Sequence, residues 1–566
     1  MRAKSEGPAA LGFRESIRGD WERIKGWLGI EPGRLGRRFL ILAALLWAIE
    51  WFVIQDWTFG SAYARVPPDE LAISVPFRLG RNLLFSLAIL FGLPRVGSLI
   101  AFGIWGLFAS AAIAYHAFFE RALSLQTLKT SLLEGAAVAG VGRDLVSWET
   151  LLVLCILIGV KGAFVWRDRS HLRMRWRLAA IFLVAWAGLG LWANKNLLPL
   201  QMLVKHVPFE RMAAAYGYLW TWMGEQIHLE GRVLERALEA ATKNRSNRLS
   251  GEAALPVAEK VAIIQMESVE FESLGYELGG ELVMPFLSSL RETSRFYKVR
   301  AIHENGSADA DFSMLTGLAP SPDVITYRIR GYPYEDPLPS LFRRAGYRTE
   351  FFHGLYGDFF NRRPIMERRM GFDSVVFEEE LVEHHGATPT RWGVKDRDVF
   401  QLAAREMNAT EGPVFQFIIT LTSHNPFDFL DEHEREISPR LPPPKDERER
   451  RLYRYADSIR YLDRVLEAYY EALPDGSLLV LYGDHSSFAL PRAVRDSDGK
   501  LIEFVPYLVH QKGNRLESAD PALARGGTLT QLDMVTHIRN FALDLVSVRA
   551  PASNGEANAA VPLDVD

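Results

Sequence analysis

The chain has 566 residues, 48% of them hydrophobic and 24% charged, with a formal net charge of −4. That near balance speaks against a nucleic-acid partner, and the length suffices for two or three domains. The only cysteine, Cys155, excludes an intramolecular disulfide and a thiolate zinc site.

Residues 1–38 are charged and precede apolar stretches at 39–54, 76–93, 96–118, 150–166 and 178–194. Each is close to the ~20 residues that a spanning helix needs, so a transmembrane domain of about five helices is expected over 39–195. The charged stretch before the first is too long for the n-region of a signal peptide, which predicts an uncleaved anchor. Arg34, Arg37 and Arg38 and the connection "RDRSHLRMRWR" at 167–177 are basic, whereas the loops at 56–75 and 119–149 mix acids with arginine. The positive-inside rule then puts 1–38 and 167–177 in the cytoplasm and everything after about residue 195 outside. Glu50, inside the first span, is a functional candidate by default, but its neighbours Trp47, Trp51 and Trp57 point to an interfacial end instead.

Residues 196–256 read as a juxtamembrane helical linker, with aromatic and charged residues at helical spacing and an exposed boundary at "TKNRSNRLSGE". From 257 to 548 short apolar runs alternate with amphipathic stretches, the pattern of an α/β domain with a largely parallel sheet. The last residues, 549–566, have too little hydrophobicity to pack and are expected to be disordered.

In such sheets ligands collect beyond the carboxyl ends of the strands. Four expected strands end on acids or imidazoles: "VAIIQME" at Glu267, "YRTEFFH" at His353, "VFQFIITLTSH" at His424 and "SLLVLYGDH" at Asp484 and His485. One such ending is usually a solvated residue. Four facing one another need a cation or a tight hydrogen-bond network to offset desolvation, and carboxylate plus imidazole without thiolate suits Mn²⁺, Mg²⁺ or Zn²⁺. The stretch "ENGSADADFSMLTG" adds Ser307 behind a glycine at the start of an expected helix. There a helix dipole and a metal would favour an alkoxide nucleophile, although a Gly-Ser pair before a helix is more often a plain N-cap.

Taken together and in order, "IIQMES", "NGSADADF", "HGLYGDFFNRR", "TLTSHNPF" and "LYGDHSS" behind five spans resemble the lipoteichoic acid synthase and phosphoglycerol transferase branch of the sulfatase-like, alkaline phosphatase superfamily. The resemblance implies an α-helical membrane domain followed by an α/β sulfatase-like extracytoplasmic domain in a bacterial plasma (inner) membrane. It also implies metal ligands at Glu267, Ser307, Asp484 and His485, with Mn²⁺ as the leading metal, and Ser307 as nucleophile where the family generally has threonine. Substrate-binding positions fall on His353, Phe360, Arg362 and His424, Phe360 standing where tryptophan is known, and His424 is the choice for proton transfer. The implied reaction moves glycerophosphate from phosphatidylglycerol to an extracytoplasmic glycan or polyglycerophosphate acceptor. Sulfate-ester cleavage is disfavoured, because "SADAD" lacks the C/S-x-P-x-R context of type I sulfatases. Phosphoethanolamine transfer and plain phosphodiester hydrolysis stay open within the superfamily, and a catalytically silent membrane scaffold stays open outside it.

Overall fold

The computed structural model describes residues 36–63, 68–119, 122–132, 148–167, 176–196, 199–201, 209–229, 231–243, 255–390, 392–487, 489–490, 494–495, 501–516 and 529–549. The expected cytoplasmic segment up to residue 35, most of the basic 167–177 connection, the boundary after residue 243 and the tail after 549 lie outside these. The chain forms two compact units, the apolar helices in the first and the α/β domain in the second.

Five helices of the first unit are long and apolar enough to cross a membrane: Phe39–Thr58, Val75–Gly92, Arg95–His116, Thr150–Arg167 and Trp176–Asn196. They belong to α1 (Gly36–Tyr63), α2 (Pro68–Gly92), α3 (Arg95–Phe119), α4 (Trp148–Arg167) and α5 (Trp176–Asn196). The expected spans thus recur within a few residues. Much of the outer face is exposed apolar surface, including Ile100, Ile104 and Leu107 on α3, as a lipid-facing helix requires. Inside, Trp47 packs edge-on against Phe102 at 4.9 Å between ring centroids, and Trp51 lies 4.2 Å from Trp105.

Glu50 shares this interior. It is buried, accepts a hydrogen bond from Trp105 Nε1 at 3.1 Å, and pairs with Lys161 of α4. The expectation of an interfacial Glu50 is therefore corrected. Trp47 and Trp51 mark an interhelical core, and only Trp57 of the three is exposed. A carboxylate buried among apolar helices needs such partners to offset its desolvation. Two further helices, α6 (Phe209–Tyr216) and α7 (Tyr218–His228), also belong to this unit. Arg81 of α2 lies 4.8 Å from both the Trp186 and the Trp220 rings and donates to the Tyr216 carbonyl at 3.1 Å.

The second unit is built on an eight-stranded sheet. Its strands are β1 (Lys260–Met266), β2 (Arg295–Arg300), β3 (Arg348–His353), β4 (Ser374–Val376), β5 (Val414–Ile419), β6 (Leu478–Gly483), β7 (Phe504–Gln511) and β8 (Leu529–Thr530). They are ordered β8-β2-β7-β6-β1-β5-β3-β4. Every neighbouring pair is parallel except those made by β7, which runs against both β6 and β2.

Side chains alternate between two covered faces. Ala262, Ile264 and Met266 of β1 join the core under α10 (Asp396–Ala409) and α11 (Glu447–Ala472). In α10 the buried Val399, Phe400, Ala403 and Met407 recur at three- and four-residue spacing, and Asp396 and Asp398 sit in its first turn, where the helix dipole favours them. Asp446 caps α11 by accepting from Glu449 N at 2.8 Å. On the other face Phe415 of β5 stacks on Phe342 of α9 (Leu338–Arg344) at 4.1 Å, and Phe342 meets Phe541 of α12 (Gln531–Arg549) at 6.2 Å. A sheet buried on both faces explains why its strands read as continuous apolar runs.

Candidate active site

Strand register places the site. Gln265 of β1 and His353 of β3 both lie level with Ile419 of β5, and Met266 lies level with Gly483 of β6. The residues that follow these levels, Glu267, Thr420 and Asp484, leave the sheet side by side at its carboxyl edge. Glu267 N then bonds Thr420 Oγ1 at 2.8 Å, and Asp484 N bonds the Met266 carbonyl at 3.2 Å, tying the three exits together.

Glu267, Asp484 and His485 converge there, with ligand atoms within 4.8 Å of one another. His485 Nε2 lies 3.3 Å from Glu267 Oε1 and 3.6 Å from Asp484 Oδ2. Asp484 Oδ1 is occupied, accepting from Ser268 N at 2.8 Å and His485 N at 2.7 Å. Its Oδ2 is buried and accepts no hydrogen bond among the described residues. His485 donates Nδ1–H to the Ser486 carbonyl at 3.0 Å, which orients the ring with Nε2 facing the carboxylates.

The electrostatics of this cluster are unbalanced. Burial and the Glu267 charge raise the Asp484 pKa well above the carboxylate range. Burial disfavours a charged His485, but Asp484 and Glu267 outweigh it and raise its pKa. The cluster therefore retains protons that a cation would displace. Two carboxylates, an imidazole and a bare buried oxygen fit a divalent metal.

Ser307 completes the set. Gly306 precedes it at φ 133°, a conformation that favours glycine, and α8 (Ala308–Thr316) begins immediately after. Ser307 makes no side-chain capping bond. Its Oγ instead lies 3.3 Å from His485 Nε2, so the plain N-cap reading of "NGS" does not apply. The loop before it is held by Asp309 Oδ2, which accepts from Glu304 N at 2.7 Å and Asn305 N at 2.5 Å.

His353 and Arg362 meet beside this cluster. Arg362 is buried, with Nε on Asp311 Oδ2 at 2.8 Å, Nη1 3.4 Å from His353 Nε2, and Nη2 buried without a hydrogen-bond partner. His353 donates Nδ1–H to the Ile419 carbonyl at 3.1 Å; burial and the adjacent Arg362 lower its pKa to about 3, so it is neutral. Phe360, at φ 58°, is buried with its ring 5.2 Å from Arg362 and 5.6 Å from Arg328, backing the guanidinium. His424 donates Nδ1–H to the Asn425 carbonyl at 2.5 Å, and burial lowers its pKa against the pull of Glu267.

Sequence reasoning missed the residues that hold these groups. Asp311, one α-helical turn after Ser307, anchors Arg362; its pKa is raised to about 6, burial outweighing the arginine. Its acidic place in "ADADF" was visible, but its partner lies 51 residues away. His303 stacks on His485 at 4.3 Å and bonds Glu503 at 3.2 Å, and Glu503 also accepts from Ser486 N at 2.9 Å. Burial works against ionised Glu503, but His303 and His485 prevail and hold its pKa near 2.

Comparison with known proteins bears on the fold that carries this site. Residues 260–538 match the Sulfatase family model. Lipoteichoic acid synthase 1 of Bacillus subtilis (strain 168) is 25% identical over 313 residues, covering 50% of this chain and 47% of its own length. Lipoteichoic acid synthase of Staphylococcus aureus (strain USA300) is 27% identical over 242 residues, 40% of this chain and 36% of its own length. The matches thus span half or less of these curated relatives. The integral membrane lipooligosaccharide phosphoethanolamine transferase A of Neisseria meningitidis shares the fold over 84% of this chain and 88% of its own, with a TM-score of 0.53 at 12% identity. The chain thus carries a domain that matches the Sulfatase model and is similar to lipoteichoic acid synthases, together with five helices long and apolar enough to cross a membrane.

Proposed function

We propose that this chain is a metal-dependent phosphoglycerol transferase of the bacterial plasma membrane, with the N-terminus cytoplasmic and the 257–548 domain outside. In this reading it moves glycerophosphate from phosphatidylglycerol to an extracytoplasmic glycan or polyglycerophosphate acceptor. The observation that carries the reading is Ser307 Oγ, released from capping duty and 3.3 Å from His485 Nε2, beside the bare Asp484 Oδ2.

Glu267, Ser307, Asp484 and His485 would hold a divalent cation, Mn²⁺ before Mg²⁺ or Zn²⁺, which neutralises charge and favours the ionised serine. Arg362, fixed by Asp311, presents its unpaired Nη2 to a phosphoryl oxygen, and neutral His353 keeps that guanidinium in place. Ser307, its proton given up to water, forms an Oγ–phosphorus bond as the bond to the diacylglycerol oxygen breaks, and that oxygen takes a proton from water as it leaves. The glycerophosphoryl group then resides on Ser307. An acceptor hydroxyl gives its proton to His424 Nε2, the ring nitrogen opposite the one bonded to the Asn425 carbonyl, attacks phosphorus and restores the serine.

The test is mass spectrometry of the purified chain with Mn²⁺ and, separately, phosphatidylglycerol or phosphatidylethanolamine. Diacylglycerol from phosphatidylglycerol alone and an adduct on Ser307 are expected. Release from phosphatidylethanolamine alone would replace the donor, and release from neither lipid would overturn the reading.

A further inference from the structure

The helical unit buries two arginines as well as Lys161. Arg78 of α2 lies 3.9 Å from Asp56 of α1. Arg81, 2% exposed, has no such counter-charge: among the described residues no carboxylate lies within ion-pair distance of it. An ionisable group inside a span is costly and marks a site of function unless the fold pairs it.

Three groups fix the pose of Arg81. Its guanidinium lies 4.8 Å from Trp186 of α5 and 4.8 Å from Trp220 of α7, two rings that meet at 90°. Nη1 donates to the Tyr216 carbonyl at 3.1 Å, at the end of α6 where a helix leaves its carbonyls unused and favours a cation. Nε and Nη2 remain, both buried and without a hydrogen-bond partner. These two nitrogens form one edge of the guanidinium, and their parallel N–H groups match two oxygens of a phosphate. The Trp220 indole N–H is buried and unpartnered as well. All three open groups are donors, so the missing partner is an acceptor, and the uncompensated charge makes it an anion.

Chain order places this edge in the membrane. Arg81 comes six residues after Val75, where the candidate span begins, or about 9 Å along the helix axis. It is therefore nearer the end of the bundle where α1 passes into α2, and after five crossings the chain leaves α5 on that same side. Beside Arg81, a side chain starting at Gly80 would meet nothing within 4 Å, which leaves room at the α2 surface. The helices that form the cradle also carry exposed apolar side chains, Leu79 on α2, Val184 and Trp192 on α5, Met223 and Ile227 on α7, as contact with acyl chains requires. A basic site between spanning helices suits a lipid headgroup.

We propose that the Arg81 edge holds the phosphodiester of an anionic phospholipid, a bound resident of the leaflet on the side where the chain leaves α5. Trp220 turns aside to admit the phosphate and adds its indole N–H as a third donor. Seated there, the lipid fastens α6 and α7 to α2 and α5. The inference needs only the membrane crossing and owes nothing to the transfer chemistry.

The experiment uses the full Ser307→Ala chain in detergent, stripped of bound lipid, so that added phosphatidylglycerol is not turned over. Binding is read by native mass spectrometry and by the rise in melting temperature. Adding Arg81→Gln is expected to raise Kd for phosphatidylglycerol about tenfold or more, whereas adding Arg362→Gln, which removes the arginine at the sheet edge, should leave it unchanged. The reverse pattern would put the bound lipid at the sheet edge and overturn the proposal. So would an unchanged Kd with Arg81→Gln, since water would then be what completes the fork. Where Arg81→Gln fails to fold, Arg81→Lys keeps the charge without the planar fork; Kd should still rise several-fold, and an unchanged value would again overturn the proposal. Displacement of the lipid by millimolar inorganic phosphate would assign the edge to a free anion and overturn the lipid. Binding lost with Arg81→Gln, in a chain whose Ser307 parent releases no diacylglycerol, would uphold this site and end the transferase reading.

Discussion

Two buried charge clusters in this chain differ in one respect. In the helical unit, Glu50 has Lys161 on one carboxylate oxygen and Trp105 on the other, and the ammonium is also close to the Phe102 ring at 5.2 Å. At the sheet edge, Asp484 keeps one oxygen bare and Arg362 keeps one nitrogen bare, although both side chains are as deeply buried as Glu50. In the helical cluster both carboxylate oxygens are engaged within the fold. An open cluster holds unpaired atoms in a defined direction, at a cost that only a bound group offsets. The comparison thus separates a structural use of buried charge from a functional one, and substitutions in the two places should have opposite signatures.

The largest effect is expected at Ser307. Ser307→Ala should lower diacylglycerol release by about three orders of magnitude or more, because removing a nucleophile leaves only binding and electrostatic stabilisation. Circular dichroism and membrane insertion should stay unchanged, and substantial remaining turnover would sink the assignment of the open cluster as catalytic.

Metal binding comes next. Asp484→Asn takes the charge from the bare oxygen and should weaken Mn²⁺ binding by more than the about 10- to 100-fold that changes around a ligand shell cause. The sign of the pH dependence follows from the raised pKa values of Asp484 and His485: each holds its proton in the metal-free cluster to higher pH than a free side chain does, so affinity should increase as pH rises. Calorimetry in buffers of different ionisation enthalpy should record proton release on Mn²⁺ binding. Binding without proton release would mean that the cluster is already ionised before the metal arrives.

Asp311→Asn acts one step back. It removes the charge that fixes the buried Arg362, and breaking such a pair from one side costs about 3–5 kcal/mol of stability, with kcat/KM expected to fall about 10- to 100-fold. Asp311 has a pKa near 6, so the parent should show an ionisation close to pH 6 in its kcat/KM profile that is absent from the variant. A profile with the same ionisation in both would assign it to another group.

How much of this was legible in the sequence depends on how local the signal is. The strands ending at Glu267, His353 and Asp484 were readable because a mostly apolar stretch stops at an acid or imidazole in each, and parallel strands put those ends on one edge. The reversal of β7 was not, since "EFVPYLVHQ" is buried on both sides and carries no mark of direction. The same holds for supporting contacts. Ser307 stands in a local motif behind a glycine, whereas Asp311 gains its meaning only from Arg362, and Glu503 only from His303 and Ser486 far away in the chain. Glu50 shows the converse: tryptophans one turn away read as a membrane interface, but the decisive partner, Lys161, lies 111 residues on.

The smallest effect on turnover is expected from opening the closed cluster. Glu50→Gln leaves Lys161 buried among Trp47, Phe102 and Trp105 without its counter-charge, and should destabilise the helical unit by about 3–5 kcal/mol. Lys161→Met does the same to Glu50. The double variant Glu50→Leu/Lys161→Met removes both charges together and should recover most of the loss, because an apolar pair of similar volume avoids the desolvation of two ions. In all three, diacylglycerol release per folded molecule should stay within about twofold of the parent, as for changes remote from chemistry. Thermal denaturation in nanodiscs, read beside donor turnover, decides the matter: a stable variant with lost turnover would show that the Glu50 and Lys161 charges serve the reaction, and the distinction between closed and open clusters would fail at its simplest case.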